Sequence, residues 1–362
     1  MNELLIRNFR NISKLELSFS PAANLFIGPN GHGKTNCLEA VALALSLRPM
    51  QSLKNFDLIK FDEPQAFIEA KLSGAQQIDV EIDIFPHGKK AKLNHQTMRK
   101  ASALATAVSL VSFIPAELSM VQGASGLRRR ALDQAAFNLF FEHLATLKAY
   151  EKILGHRNKL LKSWPLDHAS LKVFSDLLIE EGAQLIWYRQ QAIELMNDLF
   201  DQKIKAILGA RHSGAISYLQ HDDIIKSQTI ADLKARLTSQ HDSLSQQEVR
   251  RKVTLWGPHL DDVMLMLDGH CAKKTASRGQ SRAIVLAFKL AHMLAVEQVR
   301  GFAPIVVLDD IVSELDSVTK ANLFEVIAAL KTQSFFSATD LATFGSTFSH
   351  AHCFTLEHGY CV

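Results

Sequence analysis

Apolar and polar residues change rhythm several times along the chain, and each change predicts an element. Residues 3–19 read as two strands joined by Phe9-Arg10-Asn11, with Leu15, Leu17 and Phe19 alternating against polar neighbours. Leu25-Phe26-Ile27 is an apolar strand stub, and Asn36 to Ser46 follows as a helix with Leu38, Val41, Ala42 and Leu45 on one face. Phe67 to Leu72 and Ile78 to Phe85 are further strands. The second sets Ile78, Val80, Ile82 and Ile84 against Asp79, Glu81 and Asp83, and Pro86-His87-Gly88 turns it into a basic strand, Lys89 to Leu93. From Leu127 to Leu161 the spacing is helical, Trp164-Pro165 interrupts it, and a second helical run extends from Leu171 to Leu208. Alternation returns at Val263 to Leu267. Pro304 to Leu308 is a continuous apolar run of the kind buried inside a parallel sheet, with a helix through Leu323 and Leu330 and a strand at Ser334 to Ala338 after it. The pattern predicts an α/β head, residues 1–122 plus 253–362, interrupted by a helical lobe at 123–252.

The loop after the first apolar stub carries the clearest chemistry. Gly28-Pro29-Asn30-Gly31-His32-Gly33-Lys34-Thr35 matches the Walker A pattern G-x-x-x-x-G-K-[ST] at every fixed position, between a strand and a helix. Glycines let the backbone wrap around phosphate oxygens, and the helix N-terminus adds partial positive charge. Lys34 would reach the β and γ phosphates and Thr35 would ligate Mg²⁺, so the expected ligand is ATP.

Composition narrows the setting. The 362 residues are 47% hydrophobic and 21% charged, as in ordinary globular proteins. No apolar run approaches the roughly 18 residues of a membrane span, and the N-terminus reads as a charged strand rather than a signal peptide. Cys37, Cys271, Cys353 and Cys361 show no metal or disulfide spacing, so a reduced, cytoplasmic protein is expected. A net charge of +3 implies no polyanion by itself, but bases are clustered. Between Asp83 and Glu117 there is no acid, while Lys89, Lys90, Lys92, Arg99 and Lys100 are basic. Other clusters are Arg128-Arg129-Arg130, then Lys152, Arg157, Lys159 and Lys162, and then Arg250-Arg251-Lys252. Together they predict a phosphate-binding surface, with Lys89, Lys90, Lys92, Arg128 and Arg129 as its candidate contacts.

Three further motifs follow in order. Asp309 and Asp310 end the buried strand in the Walker B arrangement, with Asp309 expected at Mg²⁺ and Asp310 beside the attacking water. Upstream, Ser277-Arg278-Gly279-Gln280 opens a helix and resembles the signature motif of ABC-type ATPases. Ser313-Glu314-Leu315-Asp316 resembles their D-loop. Ser-Arg-Gly-Gln alone is no more than an N-capped helix. Placed between Walker A and Walker B it becomes a second anion site. In ABC-type heads such a site receives the γ phosphate held by another subunit.

The whole set resembles the RecF family of DNA-repair ATPases. Leu5-Ile6-Arg7-Asn8-Phe9-Arg10-Asn11, Phe113-Ile114-Pro115-Ala116-Glu117-Leu118 with Gly123, and Arg128-Arg129 with Leu132-Asp133 are similar to family motifs. So are Tyr150 with Arg157-Asn158, and Thr254-Leu255-Trp256-Gly257-Pro258-His259-Leu260-Asp261-Asp262. The resemblance runs from residue 5 to about residue 359. It implies an ABC/SMC-type P-loop head with an antiparallel β subdomain and an inserted helical lobe. It also implies an ATP-dependent homodimer that binds duplex, gapped or junction DNA and helps load RecA with RecO- and RecR-type mediators.

The chain departs from the pattern at a few positions. Leu260 stands where the family has arginine, Ala276 replaces the signature leucine, and Thr339 lies near the position of the transporters' switch histidine. With aspartate after Walker B and no such histidine, hydrolysis is expected to be slow. His259 is a candidate base, although a structural role inside a turn fits it better. Two other classes share parts of the pattern. A transporter ATPase subunit lacks the long helical lobe, and an SMC-like nuclease head needs an added acidic domain for which the residues after Asp310 leave no room.

Overall fold

The computed structural model describes residues 1–50, 53–73, 77–98, 102–220, 223–225, 229–310, 315–344, 348 and 350–361. In chain order the first stretch holds β1 (Glu3–Phe9), β2 (Ile12–Ser18), β3 (Ala23–Ile27), α1 (Lys34–Ser46), α2 (Asn55–Leu58), β4 (Ala66–Ser73), β5 (Gln77–Phe85), β6 (Gly88–Leu93), β7 (Gln96–Thr97), α3 (Ser102–Ala105) and β8 (Leu110–Phe113). The middle holds α4 (Ser125–Leu139), α5 (His143–Lys162), α6 (His168–Leu208), β9 (Gly214–Gln220), β10 (Asp223–Ile225), α7 (Ile230–Arg251), β11 (Asp262–Leu267), β12 (His270–Cys271), α8 (Ala272–Thr275) and α9 (Arg278–Arg300). The last part returns with β13 (Ile305–Leu308), α10 (Ser317–Leu330), β14 (Ser334–Ala338), β15 (His352–Glu357) and β16 (Tyr360–Cys361).

Two compact units result, one of Met1–Leu118 with Val296–Val362 and one of Ser119–Ala295. The second boundary differs from the expected one at residue 253. Asp262–Leu267 pairs antiparallel with Gly214–Gln220, so the strand after the motif at 257–262 belongs to the helical unit's own sheet.

The first unit contains two sheets. One is antiparallel, in the order β2-β1-β4-β5-β6-β7. Its strands alternate as expected, turning Leu4, Ile6, Ile68, Ala70, Val80, Ile82 and Ile84 inward. The other runs β16-β15-β3-β14-β13-β8, and its five strands other than β16 are parallel. The runs ANLFI, IVVL and SFFSA are almost wholly buried, as strands covered on both faces must be.

Helix α1 differs from its expected amphipathic form. Every residue from Cys37 to Leu45 is buried, because the helix packs against β1, β4 and β5 of one sheet and β8, β13 and β14 of the other. Each enclosed Leu or Val contributes about 1.5–3 kcal/mol.

The second unit packs α4 to α7 with the sheet β10-β9-β11-β12. The run expected as one helix over 127–161 divides at Phe140-Phe141-Glu142 into α4 and α5. Its interior holds two buried charge pairs. Arg157 donates to both carboxylate oxygens of Glu248 (2.9 and 2.7 Å), to Thr254 Oγ1 (2.8 Å) and to Ser175 Oγ (3.0 Å). Arg189 grips Asp133 at 2.8 and 2.9 Å and donates to Pro258 O at 2.8 Å, while the Tyr218 hydroxyl donates to Asp261 Oδ2 at 2.8 Å. The motif at 257–262 is thereby fixed from inside the helical unit.

Burial opposes ionisation of Glu248, but hydrogen bonds from His241 and Arg157 prevail and hold its carboxyl down to about 2. Because the folded-state value lies below the usual 4.5, this pair stabilises the protein above that pH and the contribution fades as pH falls toward 2. Removing one partner of a buried pair costs about 3–5 kcal/mol. Glu248→Ala should therefore lower the urea midpoint strongly at pH 7. The gap from wild type should shrink as unfolding is repeated at progressively lower pH.

Candidate functional site

The Walker A loop leaves the C-terminal end of β3, where a parallel sheet opens a crevice for ligands. Gly28 sits at φ +149, and a Cβ there would lie 2.5 Å from the Leu356 carbonyl oxygen, so no side chain fits. Gly33, at φ +104, is the N-cap of α1. His32 packs its ring 4.5 Å from that of His358 and accepts the Gly359 N–H at its carbonyl, so the β15–β16 turn backs the loop. Lys34 is buried and donates to Gly28 O at 2.6 Å and Pro29 O at 2.8 Å. Burial lowers its pKa, while the charges of Asp310 and Asp309 oppose that shift. Asn30, Gly31, Gly33, Lys34, Thr35, Asn36, Asp310 and Ser337 line one cleft.

The Walker B acids end β13 beside this loop. Thr35 Oγ1 donates to Asp309 Oδ1 at 2.8 Å, and Ser337 Oγ donates to the same oxygen at 2.8 Å. Asp310 takes a left-handed backbone (φ +47), and its N–H donates to Ser337 Oγ at 2.8 Å. Burial raises the Asp309 pKa, with Ser337 and Thr35 pulling it back. A hydroxyl and a carboxylate converging at one point are the hard oxygen donors that suit Mg²⁺. Ser337 belongs to no motif of the sequence, and its only signal there is a small polar residue near the end of an apolar strand. Asn36 follows the Walker A motif without belonging to it, and is held by Arg10 Nε at 3.1 Å and by Asn11 Oδ1 at 2.7 Å.

The signature segment lies in the second unit. Ser277 N donates to Gln280 Oε1 at 2.9 Å and Gln280 N donates to Ser277 Oγ at 3.2 Å, a capping box that opens α9. Ser277, Arg278 and Gly279 are exposed, so the unpaired N–H groups of the first turn face solvent. In the D-loop, Ser313 and Glu314 lie outside the described residues. Leu315 is buried, and Asp316 caps α10 by accepting from Thr319 N at 3.0 Å.

The DNA candidates need correction. Arg128 is 3% exposed, forks onto Asp262 at 2.8 and 2.7 Å, and donates to the carbonyls of Met120, Val121 and Gly123. Arg129 donates to Ser125 Oγ and to Asp261 O. Both guanidinium groups are spent on the fold, and of the three arginines only Arg130 is exposed. The acid-free strand is acid-free only along the chain. In space Lys90 lies opposite Asp83 and Lys92 opposite Glu81, with Lys92 Nζ 2.8 Å from the Glu81 carboxylate. Lys89 donates to Leu47 O at 2.5 Å. Arg99 and Lys100 lie outside the described residues. His259 takes the structural role, because its Nδ1 lies 2.7 Å from the Tyr150 hydroxyl and burial lowers its pKa to about 4.

Comparison with known proteins agrees with this geometry. The RecF/RecN/SMC N terminal domain family matches residues 1–347. A protein of Listeria monocytogenes named DNA replication and repair protein RecF is 32% identical over 99% of this chain and 98% of its own. One of the same name from Geobacter sulfurreducens is 33% identical over 95% and 93%. The solved structure of the recombination mediator protein RecF-ATP in the RecFOR pathway superposes with a TM-score of 0.89 at 25% identity, covering 100% of this chain and 96% of that one. An Smc head domain from Pyrococcus furiosus shares the fold, with a TM-score of 0.53 at 12% identity over 99% and 94% of the two chains. Among the described residues, no helix is long and apolar enough to cross a membrane. With a family model matched over residues 1–347 and relatives at 32–33% identity over nearly the whole chain, the chain belongs to the RecF family of DNA replication and repair proteins.

Proposed function

We propose that this chain is an ATP-gated clamp on DNA, working with RecO- and RecR-type mediators at gaps or junctions. The observation that carries this reading is the hydrogen bond from Thr35 to Asp309, which joins Walker A to Walker B across 274 residues beside the buried ammonium of Lys34. Lys34 would exchange its two loop carbonyls for the β and γ phosphate oxygens of ATP. Thr35 and Asp309 would hold Mg²⁺, which when bound neutralises charge on those oxygens. Asp310 lines the same cleft and would orient the attacking water, with slow turnover releasing the clamp.

Ser277, Arg278, Gly279 and Gln280 open an exposed helix end, a ready anion site. In a homodimer they would meet the γ phosphate held by the partner's loop, so that ATP joins the two copies. The names of the similar proteins, which include an ATP-bound recombination mediator, support this reading.

Calorimetry and sedimentation test it. Lys34→Ala should weaken ATP binding by about 10- to 100-fold in calorimetry, the worth of one charge-assisted contact, with the unfolding midpoint little changed. In sedimentation with Mg²⁺, ATP should shift wild type to a dimer with raised DNA affinity that falls steeply with salt. Ser277→Ala should bind ATP yet stay monomeric. A wild type that remains monomeric and indifferent to DNA with ATP would end the clamp reading.

A further inference from the structure

The helical unit carries a surface that the ATP-dependent reading leaves unused. Between α5 and α6, at the tip of their hairpin, the Trp164 side chain is 93% exposed, the most exposed among the large apolar residues described. A tryptophan turned outward adds nothing to the stability of the fold, and its flat indole is free to stack.

Its surroundings are cationic. Lys152, Lys159, Lys162 and Lys172 are all exposed, and the only acid between Lys152 and Lys172 is Asp167. That carboxylate is already engaged in capping α6, accepting from Ser170 N at 3.0 Å and Ser170 Oγ at 2.6 Å. Lys152, His156 and Lys159 follow at i, i+4 and i+7, so they share one face of α5. From Lys152 to Lys162 the helix rises roughly 15 Å. The end of α7 adds more charge. Thr254 N donates to Asn158 Oδ1 at 2.8 Å, which brings the exposed Arg251-Lys252 up to the same helix. Unlike Lys92 of β6, none of these exposed cations forms an ion pair among the described residues.

We propose that this tip is a contact for single-stranded nucleic acid, with Trp164 stacking on an unpaired base and Lys159, Lys162 and Lys172 holding the flanking phosphates. A duplex keeps its bases stacked on one another and offers the indole nothing, whereas an unpaired base presents an open face. The contact is built within one unit of one chain and needs no ATP. Its setting, a gap or junction, rests on the clamp reading above.

The test measures full-length protein by fluorescence anisotropy against a labelled oligothymidine and a labelled duplex, with and without ATP. Trp164→Ala should weaken oligothymidine binding without ATP by about 5- to 100-fold, the worth of one stacked base. Trp164→Phe should retain most of the affinity. Lys159→Glu with Lys162→Glu should flatten its salt dependence. ATP-dependent duplex binding should be unchanged in Trp164→Ala. If Trp164→Ala binds oligothymidine as wild type does, as it would if the tip held a protein partner, the proposal is overturned. A Trp164→Phe protein as weak as the alanine variant also overturns it. A wild type that holds oligothymidine through Trp164 but ignores duplex with ATP would sustain the tip contact and end the clamp reading alone.

Discussion

A carboxylate removed from water must be given hydrogen-bond donors, and much of the first unit is arranged to supply them to Asp309. The donors are Thr35, from the first turn of α1, and Ser337, from β14. One oxygen thus holds together an N-terminal helix and a C-terminal strand, and both must be correctly seated for the charge to be tolerated. The seating follows from packing. Helix α1 has no solvent side, and the apolar strands β3, β13 and β14 leave their C-terminal ends at one crevice. Side-chain burial sets the backbone, and the backbone delivers three polar groups to one point.

The contacts around the cleft are of an exchangeable kind. Lys34 is satisfied by its own loop, and Asp309 by two hydroxyls. Each is a modest neutral or singly charged interaction that a triphosphate, with several oxygens and more charge, can replace. The helical unit is held differently. Its buried Arg157–Glu248 and Arg189–Asp133 pairs have no polyvalent competitor, and they fix the 257–262 motif. Exchangeable contacts belong to the nucleotide cleft, and permanent ones to the unit that carries the signature segment.

Motifs bound to a strict backbone geometry were readable in the sequence. The Walker A loop, the buried strand before Asp309 and the capping box at Ser277 all lie where their patterns put them, because each is defined by local chemistry. Elements with weak contrast were not. Helix α7 buries only Leu233, Leu237 and Glu248 among 22 residues, too sparse a stripe to stand out. Strand β8 has only four residues, all buried, and resembles any short apolar run. The α1 stripe looked amphipathic because alanines, neutral in such a pattern, fill its other side. Charge was the least readable property. The acids opposite Lys90 and Lys92 sit on the preceding strand, and the burial of Arg128 depends on Asp262, distant in sequence and adjacent in space.

The 274-residue separation between Thr35 and Asp309 also bears on how the protein is made. At synthesis rates of about 5–20 residues per second, the loop leaves the ribosome roughly 15–55 s before its partner strand exists. During that interval α1 has an apolar surface on every side and only one of its two sheets to cover it. A nascent chain therefore has no complete nucleotide site to be stabilised by cellular ATP, and shelter for that helix must come from chaperones or from the antiparallel sheet alone.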